Sequence, residues 1–509
     1  MGLAVAPWSW FLTAWVAQIP LWLYARRRRN DQLLLGALAW GGGFYGLVLS
    51  WITGIHPMTW LGVPWLASLG IALFCWLAIT LWGVVLVWFW LLGLALVEQR
   101  IIVLSRPWQT SLRLCWGTAL WCALEHLWSG SILWWSPLAY TQSPTNLWLL
   151  QWGQLSGPTT LTAILVLING LGAEMFWRYR YSGLSRLGLS QGLGLTFLLL
   201  LVVHGGGAYL AQRPLSDKTD EAIQVGLIQG NISNPIKLTP QGIQRALEGY
   251  TAGYQSLAKN GAAVILTPEG ALPYFWEDIV ANGPFYQTVL RTHVPVWLGA
   301  YGQQGQQNQD YTNSLFAIDG QGRLVGRYDK VKLVPLGEYI PLRTWLGGLV
   351  QRLSPLKGEL VPGSEAQVFQ TPFGPAAVSI CYESAFPERL RRQIQQGATF
   401  ILSSANNAHY SAAMPAQHHA LDVLRAIEND RWLARATNTG YSAIISPRGE
   451  TLWRSALNQY QLHQAPIYRR TTQTFYSRWG DWLTPCLLGL SGSITFLAWV
   501  MTKTNPGRR

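Results

Sequence analysis

Three short motifs each place one chemically useful side chain at the end of an apolar run. They are Pro268-Glu269-Gly270 after AAVILT, Tyr328-Asp329-Lys330 after a hairpin strand, and Ile380-Cys381-Tyr382-Glu383 after Ala376 to Ile380. A thiol nucleophile needs a base to take its proton and a cation to stabilise the thiolate and the developing oxyanion. Glu269, Lys330 and Cys381 supply those three roles. Each motif alone is weak, because a glutamate after a strand is usually a solvated turn residue and a hairpin lysine is usually surface charge. Order, spacing and local context agree among the three, and jointly they are specific. Cys381 stands where a strand ends and Pro387-Glu388 opens a helix, near N–H groups that favour a thiolate.

The elements that must position these groups alternate between strand and helix. Ala222 to Gln229 and Ala262 to Thr267 are apolar strands, and Thr239 to Lys259, opened by Thr-Pro, is an amphipathic helix. Further strands are expected at Val294 to Ala300, Ala376 to Ile380, Thr399 to Ser403 and Ser442 to Ser446, with helices after Pro387 and over about Pro415 to Ala436. FAIDGQGRLVGRYDK and AIISPRGETLWRS carry turn glycines between alternating runs and read as hairpins. An α/β sandwich with helices on the outer faces of its sheets is the expected class.

This region is only part of the chain. Of 509 residues half are hydrophobic, 29 are Trp and only 12% are charged. The apolar residues concentrate in roughly 7–25, 33–53, 65–97, 109–128, 157–177, 187–210 and 480–500, about seven spans of bilayer length. With one helix in the third block, Arg26 to Arg29, Arg100, Arg106, Arg178, Arg180, Arg186, Lys503, Arg508 and Arg509 all fall on one side, the cytoplasm by the positive-inside rule. Residues 213–479 and Met1 then lie on the outer face. The start lacks a basic n-region, so no cleavable signal peptide is expected. Four of the five cysteines lie in or beside apolar blocks, which leaves Cys381 unable to form a disulfide within its own region. The net charge of +13 is largely loop arginine that sets topology, and no basic-aromatic stripe for nucleic acid is present.

Taken together, TPEGALP, YDKVKLVPLGEYIP, ICYES and RATNTGYSAIISPRGE resemble the nitrilase (carbon-nitrogen hydrolase) superfamily. The membrane part, with LVPLGEYIP and LEHLWSGSILWWSPLAYTQ, makes the chain similar to the apolipoprotein N-acyltransferase family of bacteria. The resemblance covers nearly the whole chain. It implies a membrane helical bundle with an αββα sandwich domain: 1–212 transmembrane, 213–479 periplasmic and catalytic, and 480–509 a last transmembrane helix with a cytoplasmic tail in the inner membrane. It further implies a catalytic Glu269-Lys330-Cys381 triad supported by Glu338, Tyr382 and Glu383. Its partners would be a phospholipid donor, a diacylglyceryl-modified lipoprotein and the membrane, with no cofactor, metal or nucleic acid. An acyl chain would pass to Cys381 as a thioester and then to the lipoprotein amine, with Glu269, its pKa raised in an apolar cleft, as base.

Four features depart from the family pattern. Thr267 replaces an aromatic, His409 stands in a loop where an aromatic is usual, Lys332 replaces a histidine and competes with Lys330 for the amine role, and the family's first helix is missing before GLAVAPWSWF. Leu346 to Leu353 and Tyr274 to Trp276 are candidate lid segments, and the intramembrane Glu125 is a further candidate. His418, His419, Asp422 and Glu428 read as a polar helix face with structural pairs, not a metal site. The glycine clusters in the membrane part read as close helix packing. A membrane-tethered amidase or nitrilase, and a non-catalytic nitrilase-fold scaffold, stay open as alternatives.

Overall fold

A computed structural model describes residues 1–27, 32–102, 104–304, 310–335, 337–339, 360–408 and 410–504. Arg28, Arg29, Arg508, Arg509, His409 and the candidate lid at 346–353 lie outside the described residues. The chain separates into two compact units. One comprises Met1–Ser50, Leu73–Arg213 and Trp479–Arg509, the other Trp51–Ala72 and Pro214–Arg478.

The first unit is helical. Among the described residues, four helices are long and apolar enough to cross a membrane: Trp65–Ile101, Pro158–Tyr181, Arg186–Gln212 and Leu483–Met501. Trp65–Ile101 is one continuous helix of 37 residues, so the third apolar block is not a helical pair. The stretch expected to span at 7–25 is instead broken into a 3-10 turn at Phe11–Trp15 and a nine-residue helix, Ile19–Arg27. Pro7 and Pro20 account for the break, since proline donates no N–H and biases its predecessor away from helix. Arg106–Ser129 adds a helix of 24 residues, and Leu33–Val48 one of 16. Of the glycine clusters, Gly207 does what close packing requires, because a Cβ there would lie 1.8 Å from the Trp148 carbonyl oxygen. Gly42 and Gly43 face open space.

The second unit is the expected sandwich. Its first sheet holds β1 (Ala222–Gln229), β2 (Val264–Leu266), β3 (Val296–Gln303), β4 (Tyr311–Ile318), β5 (Leu324–Asp329) and β11 (Gln461–Tyr468), in the order β11-β1-β2-β3-β4-β5. The second holds β6 (Ala377–Ile380), β7 (Ile401–Ala405), β8 (Leu433–Thr437), β9 (Ala443–Ile445) and β10 (Thr451–Arg454), in the order β10-β9-β8-β7-β6. Strand alternation divides the core. Val264, Leu266 and Trp297 pack inward against Ile380, Leu402 and Ala434 of the facing sheet. Ile265, Val296 and Leu298 point the other way, onto Tyr250, Tyr254 and Leu257 of the helix Pro240–Lys259. That helix is capped as its sequence predicts, the Thr239 hydroxyl accepting from the Gly242 N–H at 3.2 Å. The two predicted hairpins are β4–β5 and β9–β10.

One element differs. The helix expected over Pro415 to Ala436 ends at Asn429, and Leu433–Thr437 is a strand between β7 and β9. Asp430, at φ 52°, turns the chain left-handed and stops the helix.

Candidate active site

The ends of strands from both sheets meet at one buried cluster. After β2, Thr267 and Pro268 lead into Glu269, and the Thr267 hydroxyl accepts from the Gly299 N–H at 2.9 Å, tying the turn to β3. After β5, Lys330 donates to the Asn313 carbonyl through its own N–H at 2.8 Å, which keeps it in register with β4. The Lys330 ammonium, only 1% exposed, then reaches Glu269 Oε1 at 2.8 Å and Glu338 Oε1 at 2.7 Å. Asn313 Nδ2 donates to Glu269 Oε1 at 2.7 Å, the Asn406 N–H to Glu269 Oε2 at 2.8 Å, and the Val334 N–H to Glu338 Oε2 at 2.8 Å.

Cys381 follows β6 and opens a 3-10 turn, Cys381–Ala385, with φ at 52°. A residue with a Cβ reaches that region at a cost of about 1–2 kcal/mol, so the surroundings must hold it. Glu383 does much of this, and it is 1% exposed. One of its oxygens accepts from the Ile380 N–H at 2.9 Å, the other from the Val331 N–H at 2.8 Å, and the Tyr328 hydroxyl and Arg389 close the remaining sides. Glu383 thereby fastens the strand end carrying Cys381 to the strand end carrying Lys330, although β5 and β6 belong to different sheets. Tyr382 packs edge-on against Phe386 at 5.1 Å.

The charges sort these groups. Burial opposes ionising Glu269, but the charge and hydrogen bond of Lys330, with Lys237 and the Asn406 N–H, outweigh it and hold the carboxyl below its usual range. This reverses the expectation of a raised value, since the cleft supplies cations as well as apolar walls. Glu338 is pushed the other way by burial and by Glu269, against the pull of Lys330. Burial works against the Lys330 ammonium too, yet two carboxylates keep it charged, well above the usual lysine value. Burial, then Glu269 and Glu338, push the Cys381 thiol up to about 12. The N–H groups of the short turn therefore do not give a resting thiolate, contrary to the expectation. At rest Sγ is a thiol donating to the Asn406 carbonyl at 4.0 Å.

Lys332 is not in this cluster. Its ammonium lies over the Phe386 ring at 5.3 Å, which leaves Lys330 as the amine beside Glu269. Three groups escape the sequence reading: Asn313, whose amide donates to Glu269 from within β4, Asn406 and Lys237. Asn406 joins Glu269 and Cys381 through its main chain alone, which no side-chain pattern reveals. Lys237, in the short helix Asn234–Lys237, donates to the Glu269 carbonyl at 3.3 Å, and burial brings its ammonium down to about 8. It lies eight residues beyond the end of β1, at the close of a short helix, so a search at strand ends does not reach it. His418 faces Asn407 Nδ2 at 3.2 Å and hydrogen-bonds the Cys381 main chain, while Asp422 pairs with Arg435 and Arg425 with Glu428. Among the described residues no three metal-ligating side chains converge.

Residues 1–171 match the apolipoprotein N-acyltransferase N-terminal domain, and residues 224–476 match carbon-nitrogen hydrolase. The chain is 58% identical to the apolipoprotein N-acyltransferase of Synechocystis sp., over 99% of each chain. It is 52% identical to that of Nostoc sp., over 98% of this chain and 97% of the relative. Among solved structures, an amidase from Nesterenkonia sp. aligns with 20% identity and a TM-score of 0.38, covering 50% of this chain and 94% of the amidase. With near-complete coverage at such identity, and both family models matched, the chain belongs to the apolipoprotein N-acyltransferase family.

Proposed function

We propose that this chain N-acylates lipoproteins, taking an acyl chain from a phospholipid onto Cys381 and passing it to the α-amino group of a diacylglyceryl-modified N-terminal cysteine. One observation carries the reading: a carboxylate, Glu269, held ionised by Lys330 and Asn406, stands with a protonated thiol whose own partner is the same Asn406. In the first half-reaction Glu269 accepts the Sγ proton as sulfur bonds to the ester carbonyl carbon. The carbonyl electron pair moves onto oxygen, where the Lys330 ammonium and the N–H after Cys381 stabilise it. Collapse breaks the ester C–O bond, and the departing alkoxide takes the proton back from Glu269. In the second half-reaction the lipoprotein amine attacks the thioester carbon, Glu269 accepts the amine's proton, and that proton returns to sulfur as the C–S bond breaks.

The pKa ordering explains why the proton must move with the bond. Thiol and carboxylate are far from matched at rest, so deprotonation runs uphill until the carbonyl carbon engages sulfur. Lys330, pinned between two carboxylates, serves as a fixed cation and not as a base. Four long apolar helices and the gathering of arginines in alternate loops support a membrane part at 1–212 and 480–509, with 213–479 catalytic on the periplasmic face of the inner membrane.

Intact-protein mass spectrometry after incubation with phospholipid tests the proposal. Wild type is expected to carry a hydroxylamine-labile acyl adduct that a diacylglyceryl-cysteine peptide discharges, and Cys381→Ala to carry none. A folded wild type that takes up no acyl chain overturns the thioester route.

A further inference from the structure

Trp51 lies in sequence between the apolar helices Leu33–Val48 and Trp65–Ile101, yet the stretch Trp51–Ala72 belongs to the same compact unit as the sandwich. Its contacts there are specific. The indole is 7% exposed, and its Nε1 donates to Gln417 Oε1 at 3.1 Å. Its ring meets Tyr410 edge-on, with centroids 4.9 Å apart at 89°. Three residues on, Gly54 brings the backbone so near that a Cβ would lie 2.6 Å from the Ser411 nitrogen. The segment is thus pressed against both ends of the stretch 410–417.

Both contacted residues lead to the thiol. Tyr410 follows the Asn406-Asn407 turn, its N–H reaching the Asn407 carbonyl at 3.4 Å, and its phenol stands in the field of Cys381, Glu338, Lys330 and Glu269. Burial, then Cys381, Glu338 and Glu269, keep that phenol protonated against the pull of Lys330. Gln417 immediately precedes His418, whose imidazole holds the Cys381 main chain and Asn407. A nucleophile at a positive φ keeps its aim only while such neighbours stay in place. An indole that packs one of these elements and hydrogen-bonds the other fixes their spacing.

We propose that Trp51 is a positioning residue for acylation of Cys381, setting Tyr410 on one side of the thiol and the Gln417–His418 turn of helix on the other. The proposal rests on the reading that Cys381 takes up the acyl chain. It separates a chemical role from the membrane-anchoring role that the sequence neighbourhood of Trp51 suggests.

The test uses the full-length protein in detergent, comparing wild type, Trp51→Ala and Trp51→Phe. Single-turnover acylation of Cys381 is followed by intact mass across phospholipid concentrations, and thermal unfolding is recorded for each. Trp51→Ala is expected to lower the maximal acylation rate about 10- to 100-fold, the scale of a small misplacement of reacting groups. The half-saturating phospholipid concentration is expected to stay within about 2-fold, as for an interaction felt only in the transition state. Trp51→Phe, which keeps the edge-on ring and loses one hydrogen bond, recovers to within about 5-fold of wild type. Equal loss in both variants at an unchanged unfolding temperature upholds the proposal and assigns the effect to the Gln417 hydrogen bond. Wild-type rates in Trp51→Ala overturn it, as does a loss that high phospholipid fully restores, or an equal loss in both variants that tracks a fall in unfolding temperature. A wild type without any adduct removes the thioester reading itself, a different failure from a Trp51→Ala that acylates normally.

Discussion

Glu125 among the membrane helices and Glu269 at the end of β2 are buried alike, 6% and 7% exposed, and each accepts three hydrogen bonds. Glu125 takes its bonds from the Trp121 indole, the Leu138 N–H and the Thr162 hydroxyl, all neutral. Glu269 takes them from the Lys330 ammonium, the Asn313 amide and the Asn406 N–H. Satisfaction of a buried carboxyl therefore does not mark function. What separates the two is that one donor of Glu269 is a cation, the Lys330 ammonium, whereas every donor of Glu125 is neutral. On the proposed mechanism Glu269 does chemistry and Glu125 holds structure.

The comparison is sharpened most by Glu269→Gln. The amide keeps the shape and an acceptor but cannot take the Sγ proton. Acylation of Cys381 is expected to fall roughly 100- to 10,000-fold, the span general-base catalysis contributes. The measurement is the same single-turnover mass assay, and a variant acylating within a few-fold of wild type would mean that another group takes the proton.

Lys237 offers a smaller and pH-dependent test on the same side of the comparison. Its charge favours the thiolate that Cys381 must form during attack and is lost as pH rises through about 8. Lys237→Met is expected to be about 10-fold slower than wild type below pH 7, the effect of ~1.4 kcal/mol of charge interaction. Above pH 9 the two proteins converge, because wild-type Lys237 is then neutral as well. Taking the ratio of rates cancels the titration of Cys381, which both share. A ratio that stays constant from pH 6 to pH 10 would show that the ammonium acts by packing and not by charge.

Much of this was legible in the sequence because the chemistry sits at strand ends, and buried strands announce themselves as short apolar runs. β1, the Thr239-capped helix and both hairpins follow from pattern and turn residues alone. The failures have identifiable causes. LARAT, buried on both faces, has no alternation to distinguish it from a continuing helix, and only the left-handed turn at Asp430 decides. The pKa directions of Glu269 and Cys381 do not show in local context, because Glu269 is governed by Lys330, 61 residues on, and by the Asn406 N–H, and Cys381 by burial beside Glu269 and Glu338. Trp51 reads as membrane sequence because hydropathy averages over a window and cannot see one indole turned toward Tyr410 and Gln417.

The smallest expected effect is that of Glu125→Gln, and it bears on the comparison from the other side. The amide oxygen still accepts from the Trp121 indole and the Leu138 N–H, but its nitrogen now faces the Thr162 hydroxyl, which must turn from donor to acceptor, so one of the three bonds is weakened. A single buried hydrogen bond contributes about 1 kcal/mol, which predicts a modest fall in unfolding temperature in detergent. Acylation and transfer rates are expected to stay within about 2-fold, because none of the three bonds leads to Cys381. If instead Glu125→Gln abolished turnover while the protein unfolded at the wild-type temperature, the charge of Glu125 would have to enter the reaction cycle. The distinction between a clasping and a reacting carboxylate would then fail, and neutral partners would no longer be grounds for calling a buried glutamate structural.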